Sequence, residues 1–176
     1  NKYGEVVYEA KPKMKKVYDS KDVAILTYML ENAVNYGTGQ SAKVFKDGQL
    51  IPMAGKTGTT SDYVSAWFTG YTPTLATVVY VGNDDNKSMG AGMTGGAAAA
   101  PIWKTYMQTV VDLPNYNVGV FEFIDDYITR KDLTTRDIDL QIGLLDRDGV
   151  NKRTALFKTG TEPVESEGKF RNGITF

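Results

Sequence analysis

The sequence predicts an α+β fold, an antiparallel sheet flanked by helices. Three observations carry this expectation. A 3.6-period apolar stripe opens the folded part, two β-rich runs joined by a short proline-containing link follow it, and a second helical stripe comes after them. In outline the order is helix, three strands, helix and then a tail.

The first helix begins at Asp19-Ser20, whose side-chain oxygens suit an N-cap, and carries Val23, Leu26, Met29, Leu30, Ala33 and Val34 as one buried stripe. Gly37 supplies its stop. Lys46-Asp47-Gly48-Gln49 is a turn signal, and Leu50 to Gly58 runs on as a strand. Ala66 to Tyr71 and Leu75 to Val81 then form a hairpin around Thr72-Pro73-Thr74. The second of these runs is apolar on both faces, which places it inside a sheet covered on both sides. Gly90 to Gly96 is a loop. Ala97 to Ala100 lead into a second helix carrying Ile102, Trp103, Tyr106, Met107 and Val110, with Pro101 in its first turn. From Leu113 the composition changes. Val118 to Ile124 reads as a strand, and Asp125 to Asp148 is charged and weakly periodic. The chain therefore divides into residues 1–112 and a C-terminal extension, 113–176.

Charge and composition exclude several classes of function. Twenty basic and 21 acidic side chains leave a net charge of −1, which gives no long-range pull on nucleic acid or anionic lipid. The basic run Lys11 to Lys16 contains a proline and no aromatics, and reads as a solvated connector. With no Cys and no His there is no thiolate nucleophile, no Ser-His-Asp triad and no Cys- or His-ligated metal site. Acid–base work falls to Lys, Tyr, Asp or Glu. Neither a cofactor nor a metal is expected. Asp84-Asp85 reads as a solvated turn. Asp146 to Gly149 has its glycine two places too early for a calcium loop. Trp67 and Trp103 read as packing residues. No stretch approaches a membrane span. The chain opens at Asn1 and runs at once into strand-like Glu5 to Glu9, so it is read as a piece of a longer polypeptide.

The informative chemistry lies at Lys56-Thr57-Gly58-Thr59-Thr60. A phosphate-binding loop would need a glycine at position 50, which is Leu, and the Leu-Ile-Pro approach is too stiff to curl around a phosphate. The alternative is the Lys-Thr-Gly element of serine acyltransferases. An oxyanion needs fixed amide donors, which an edge strand can present to a cleft. Gly58 permits close approach, Lys56 supplies positive charge beside a carboxylate, and the threonine hydroxyls can bond that carboxylate. The string alone is weak, since Lys158-Thr159-Gly160-Thr161 repeats it in the polar tail. Only the first copy leads into a hairpin.

Around that copy the chain closely resembles the class A penicillin-binding proteins. The resemblance rests on Gly37-Thr38-Gly39 with Ala42, on Ala54 to Thr60, on Ala66 to Pro73 and on Val81 to Asp84. It continues in Gly95-Gly96 with Ala99 to Lys104, and more faintly in Phe157 with Gly160 to Pro163. It implies a partial transpeptidase domain of the penicillin-binding-protein and β-lactamase-like type. It further implies that Lys56 orients a hydroxyl network and helps protonate the leaving group. Thr57 and Thr59 would bind the carboxylate of the peptide or of penicillin, and the Thr59 amide would form half of the oxyanion hole. Lys56 and Thr59 are then the catalytic candidates, and Thr57, Gly58, Thr59 and Thr60 the substrate-binding ones.

The implied partners are peptidoglycan stem peptides, β-lactams and the N-terminal part of the same domain. The implied setting is the extracytoplasmic face of the bacterial membrane, with an anchor and a glycosyltransferase domain upstream. The family's nucleophile lies in S-x-x-K, followed by S-x-N, both before the Lys-Thr-Gly strand. Upstream of Lys56 only Ser20 and Ser41 occur, each followed three residues later by Val. Ser166 to Lys169 has the spacing but the wrong order. The isolated chain is therefore expected to be inert, with helix faces and a strand edge short of partners. A hydrolytic relative, such as a carboxypeptidase or β-lactamase, and a non-catalytic interaction module are the alternatives.

Overall fold

The computed structural model describes residues 2–9, 13, 15–145 and 151–165. The tail serine and lysine (166 and 169), the rejected calcium loop at 146–149 and part of the basic connector lie outside these residues. Glu5 to Glu9, read as strand-like, forms no strand and is exposed.

Helix α1 spans Ser20–Asn35. The Asp19 carboxylate caps it by accepting from the Lys21 amide at 2.8 Å, and this bond holds the Asp19 pKa below the usual carboxylate value. Its buried residues are Ala24, Thr27 and Val34, while Val23, Leu26 and Met29 are exposed. The single stripe read from the sequence is thus rotated. Ala24 and Val34 join two separate apolar clusters, and α1 lies close against β3 (Ala54–Thr59).

The Asp47-Gly48 turn joins a short ribbon, β1 (Phe45–Lys46) and β2 (Gln49–Leu50). Both turn residues have positive φ, as a two-residue hairpin turn requires. The strand expected from Leu50 begins only at Ala54; Ile51 and Met53 instead enter the core, with the Ile51 amide donating to the Val44 carbonyl at 3.2 Å. Strand β3 pairs antiparallel with β4 (Ser65–Tyr71), which pairs with β5 (Ala76–Gly82), giving the order β3-β4-β5.

A wide helical turn over Gly95–Ala99 leads into α2, Ala100–Val111, with Pro101 in its first turn. Trp103, Met107 and Val111, four residues apart, are fully buried against the sheet. The Trp103 ring meets Phe68 edge-on at 5.2 Å, and its indole N–H donates to the Thr77 carbonyl at 3.1 Å. Trp103 is therefore the packing residue expected. Trp67 packs too, but on the open face of the sheet: it lies 42% exposed, tilted against its cross-strand neighbour Tyr80. Strand β5 also departs from expectation. Val79 and Val81 pack towards the core, but Val78 and Tyr80 are open, and β5 is a sheet edge among the described residues. An apolar run on both faces reports that both suit burial; here α2 covers only one.

The described part of the extension is built of regular elements. Val118 to Val120 is irregular, and α3 (Glu122–Thr129) replaces the expected strand, with β6 (Leu133–Asp139) and β7 (Lys152–Lys158) as a hairpin after it. Ile124, Leu133 and Leu156 bury a second cluster against Ala24 of α1. The helix wins because Phe121, Ile124 and Ile128 put their side chains on one side at helical spacing, toward this cluster. Strand β7 follows α1 along its length. Lys158 pairs with Asp22 at 2.6 Å, Tyr28 Oη donates to the Thr154 carbonyl at 3.2 Å, and the Arg153 guanidinium lies 4.5 Å from the Tyr36 ring centroid.

Candidate active site

Among the described residues β3 is the outer strand of its sheet, and its outer edge collects Lys56, Thr57, Gly58 and Thr59. Thr60 N–H donates to the Ser65 carbonyl at 3.0 Å, which sets the phase of the antiparallel ladder. Given the register, Gly58–Trp67 and Lys56–Thr69 are hydrogen-bonded pairs, and the Thr57 and Thr59 main-chain groups turn outward. The Lys56 side chain wraps round this edge, so that Nζ donates to the Thr57 carbonyl at 2.9 Å and to Thr57 Oγ1 at 3.2 Å. One short edge thus presents a cation, an alcohol and an outward amide.

Two loops back the threonine side chains. Thr57 Oγ1 lies 2.7 Å from Thr38 Oγ1, in the turn after α1. Thr59 Oγ1 accepts from the Gly95 amide at 3.0 Å. Gly95 must be glycine: a Cβ there would strike the Trp67 carbonyl and come within 2.5 Å of the Gly58 carbonyl. The Ser41 hydroxyl donates to the Gly96 carbonyl and ties the two loops together.

Thr60 stands apart from the other predicted residues. Its hydroxyl accepts from the Ser65 amide at 2.7 Å and closes the β3–β4 turn instead of lining the edge. The second Lys-Thr-Gly copy is held in structural contacts. Lys158 is paired with Asp22, which raises its pKa, and Thr159 Oγ1 donates to the Lys131 carbonyl. Asp85 sits in an exposed turn, paired with Lys87 at 2.6 Å, and its pKa is lowered by that contact. Sequence reasoning alone assigns no role to Thr38, Ser41 or Gly95. The resemblance singles out Gly37-Thr38-Gly39 and Gly95-Gly96 without giving Thr38 or Gly95 a part to play, and nothing in the sequence marks Ser41.

Residues 4–108 match the family model described as the penicillin binding protein transpeptidase domain. The chain belongs to this family. Penicillin-binding protein 1A of Aquifex aeolicus (strain VF5) is 37% identical over 142 residues, covering 76% of this chain and 18% of that protein. Penicillin-binding protein 1A of Pseudomonas aeruginosa is 38% identical over 103 residues, 58% of this chain and 12% of the relative. The crystal structure of penicillin-binding protein 1A from Haemophilus influenzae superposes with a TM-score of 0.59 at 29% identity, covering 86% of this chain and 22% of that one. The chain therefore spans less than a quarter of the length of each of these penicillin-binding relatives. No helix among the described residues is long and apolar enough to cross a membrane.

Proposed function

We propose that this transpeptidase-family chain supplies the Lys-Thr-Gly wall of a peptidoglycan D,D-transpeptidase that works through a serine acyl-enzyme and is acylated by penicillin. The observation that supports this reading is the free edge of β3, where Lys56, the Thr57 hydroxyl and the outward Thr59 amide lie side by side.

In this reading the serine, contributed from outside this chain, attacks the carbonyl of the D-alanyl–D-alanine bond. The Thr59 amide shares the developing oxyanion, Lys56 keeps the hydroxyl network oriented, and the threonine hydroxyls hold the terminal carboxylate. The peptide C–N bond then breaks, and the departing amine takes up a proton with help from Lys56. An acceptor amine on a second stem peptide attacks the ester and releases the serine. Gly58 leaves the edge open to the substrate backbone, and Thr60 contributes by fixing the turn that ends the strand.

Residues 1–112 are the C-terminal portion of the transpeptidase domain in this proposal, and 113–176 a C-terminal extension whose α3 and β6–β7 hairpin pack on α1. The full-length protein is a bifunctional enzyme with an upstream glycosyltransferase domain, held at the extracytoplasmic face by a segment outside this chain. Its partners are stem peptides and β-lactams.

Fluorescent penicillin tests the reading. The full-length protein should label covalently, the isolated 176-residue chain should not, and Lys56→Ala should cut labelling of the full-length protein sharply. Label that forms and is quickly released by water would point to a hydrolase. Persistent failure of the full-length protein to label would leave the edge as scaffold only.

A further inference from the structure

We infer that Thr38 is a positioning residue for carboxylate capture: its hydroxyl, with the Lys56 ammonium, occupies the lone pairs of Thr57 Oγ1 and commits the Thr57 proton to the incoming carboxylate. The inference rests on the proposed transpeptidase reading and deepens it.

A threonine hydroxyl has one proton and two acceptor lone pairs. Two side chains reach Thr57 Oγ1, Lys56 Nζ at 3.2 Å and Thr38 Oγ1 at 2.7 Å. The ammonium can only donate. The Thr38–Thr57 bond can run either way, and its direction decides what the edge offers an anion. If Thr57 donated to Thr38, a carboxylate would meet oxygen lone pairs. With Thr38 as donor, both acceptor positions are filled from behind and the one O–H points out to the ligand. An anion in front and a cation behind favour the second arrangement, and bonds in such a chain polarise one another.

The backbone holds Thr38 to this task. Its neighbours are Gly37 and Gly39, and a Cβ on Gly37 would come within 2.8 Å of the Ala33 carbonyl. The Gly39 amide donates to that same carbonyl at 3.0 Å, folding the loop onto the last turn of α1. From the other side Gly96 lies so close that a Cβ would be 2.6 Å from the Thr38 carbonyl. The Thr38 backbone is held between a helix end and the loop before α2, which keeps its hydroxyl within reach of Thr57. A residue placed only to fill space would not need this clamp.

The test uses the full-length protein with Thr38→Val, which keeps shape without the hydroxyl, and Thr38→Ser, which restores it. Acylation rate constants are measured with a penicillin and with its methyl ester, which lacks the anionic group. Thr38→Val should slow acylation by the carboxylate about tenfold and by the ester no more than about twofold, the scale of one hydrogen bond to a charged group. Thr38→Ser should recover most of the carboxylate rate. An equal fall with both ligands, which a folding defect would also produce, overturns the inference, as does no fall with either. Wild-type protein that no β-lactam acylates would overturn the transpeptidase reading itself, a different result from an unchanged Thr38→Val rate.

Discussion

The Gly95 amide donates to the Thr59 hydroxyl at 3.0 Å, and the same residue lies flat against the Gly58 backbone. The loop before α2 is therefore a buttress for the β3 edge, holding the second alcohol of the Lys-Thr-Gly-Thr run from behind while the Thr59 amide stays outward.

Substitution of Gly95 should show this directly. A Cβ in Gly95→Ala would approach the Gly58 nitrogen to 3.0 Å and its carbonyl more closely still, with backbone rather than a flexible side chain on the other side. The expected result in the full-length protein is a fall of about tenfold or more in penicillin acylation, since displacement of about an ångström at a reacting centre is enough for this. Stopped-flow acylation measures it.

Trp103 should dominate the stability of the sheet–helix core. It is fully buried, edge-on to Phe68 and bonded to the Thr77 carbonyl. Trp103→Ala is expected to destabilise the domain by about 3–5 kcal/mol. Trp103→Phe keeps most of the volume and loses only the indole N–H bond to the Thr77 carbonyl, which the Gly70 amide of the β4–β5 ladder still satisfies, at a cost of about 0.5–1.5 kcal/mol. Urea unfolding followed by tyrosine and tryptophan fluorescence gives both values.

Glu31 gives α1 a pH-dependent grip on the extension. Burial pushes its carboxyl up to about 7 from 4.5, and the Asp125 charge on α3 adds to the shift. A carboxyl with a raised folded pKa binds more protons folded than unfolded. Its stabilising contribution is therefore complete below 4.5 and is lost as pH rises through about 7. Relative to wild type, Glu31→Gln should protect α1 and α3 from hydrogen exchange at about pH 8 and confer no such advantage near pH 4.5, where both residues are neutral. Exchange of α1 and α3 peptides, compared between the two proteins at each pH, reads the difference.

The extension should loosen as a unit. Leu156 and Leu133 bury the inner side of the β6–β7 hairpin against Ala24 and Ile124. Leu156→Ala is expected to cost about 2–5 kcal/mol. Limited proteolysis should then cut first between residues 122 and 158, before the β3–β5 sheet is attacked.

Local rules in the sequence determined the helix start at Asp19, the Asp47-Gly48 turn, the β4–β5 hairpin, the proline-led α2 and the strand bearing Lys56. Each depends on capping, φ preference or side-chain period within a few residues, so each was legible without knowing its neighbours. Long-range packing decided the rest. The side of α1 that is buried follows from its distant neighbours: Ala24 packs with Ile124, Leu133 and Leu156, Thr27 bonds Tyr71 at 3.0 Å and Val34 enters the sheet core, while Leu26 and Met29 stay exposed. Helix α3 took the place of a strand because a cluster built from residues far apart in the chain, Ala24, Leu133 and Leu156, gave it an apolar surface to cover. The contact of Thr38 with Thr57 spans 19 positions, and no period or motif spacing encodes it; it exists because a helix end, a strand edge and a glycine loop meet in space.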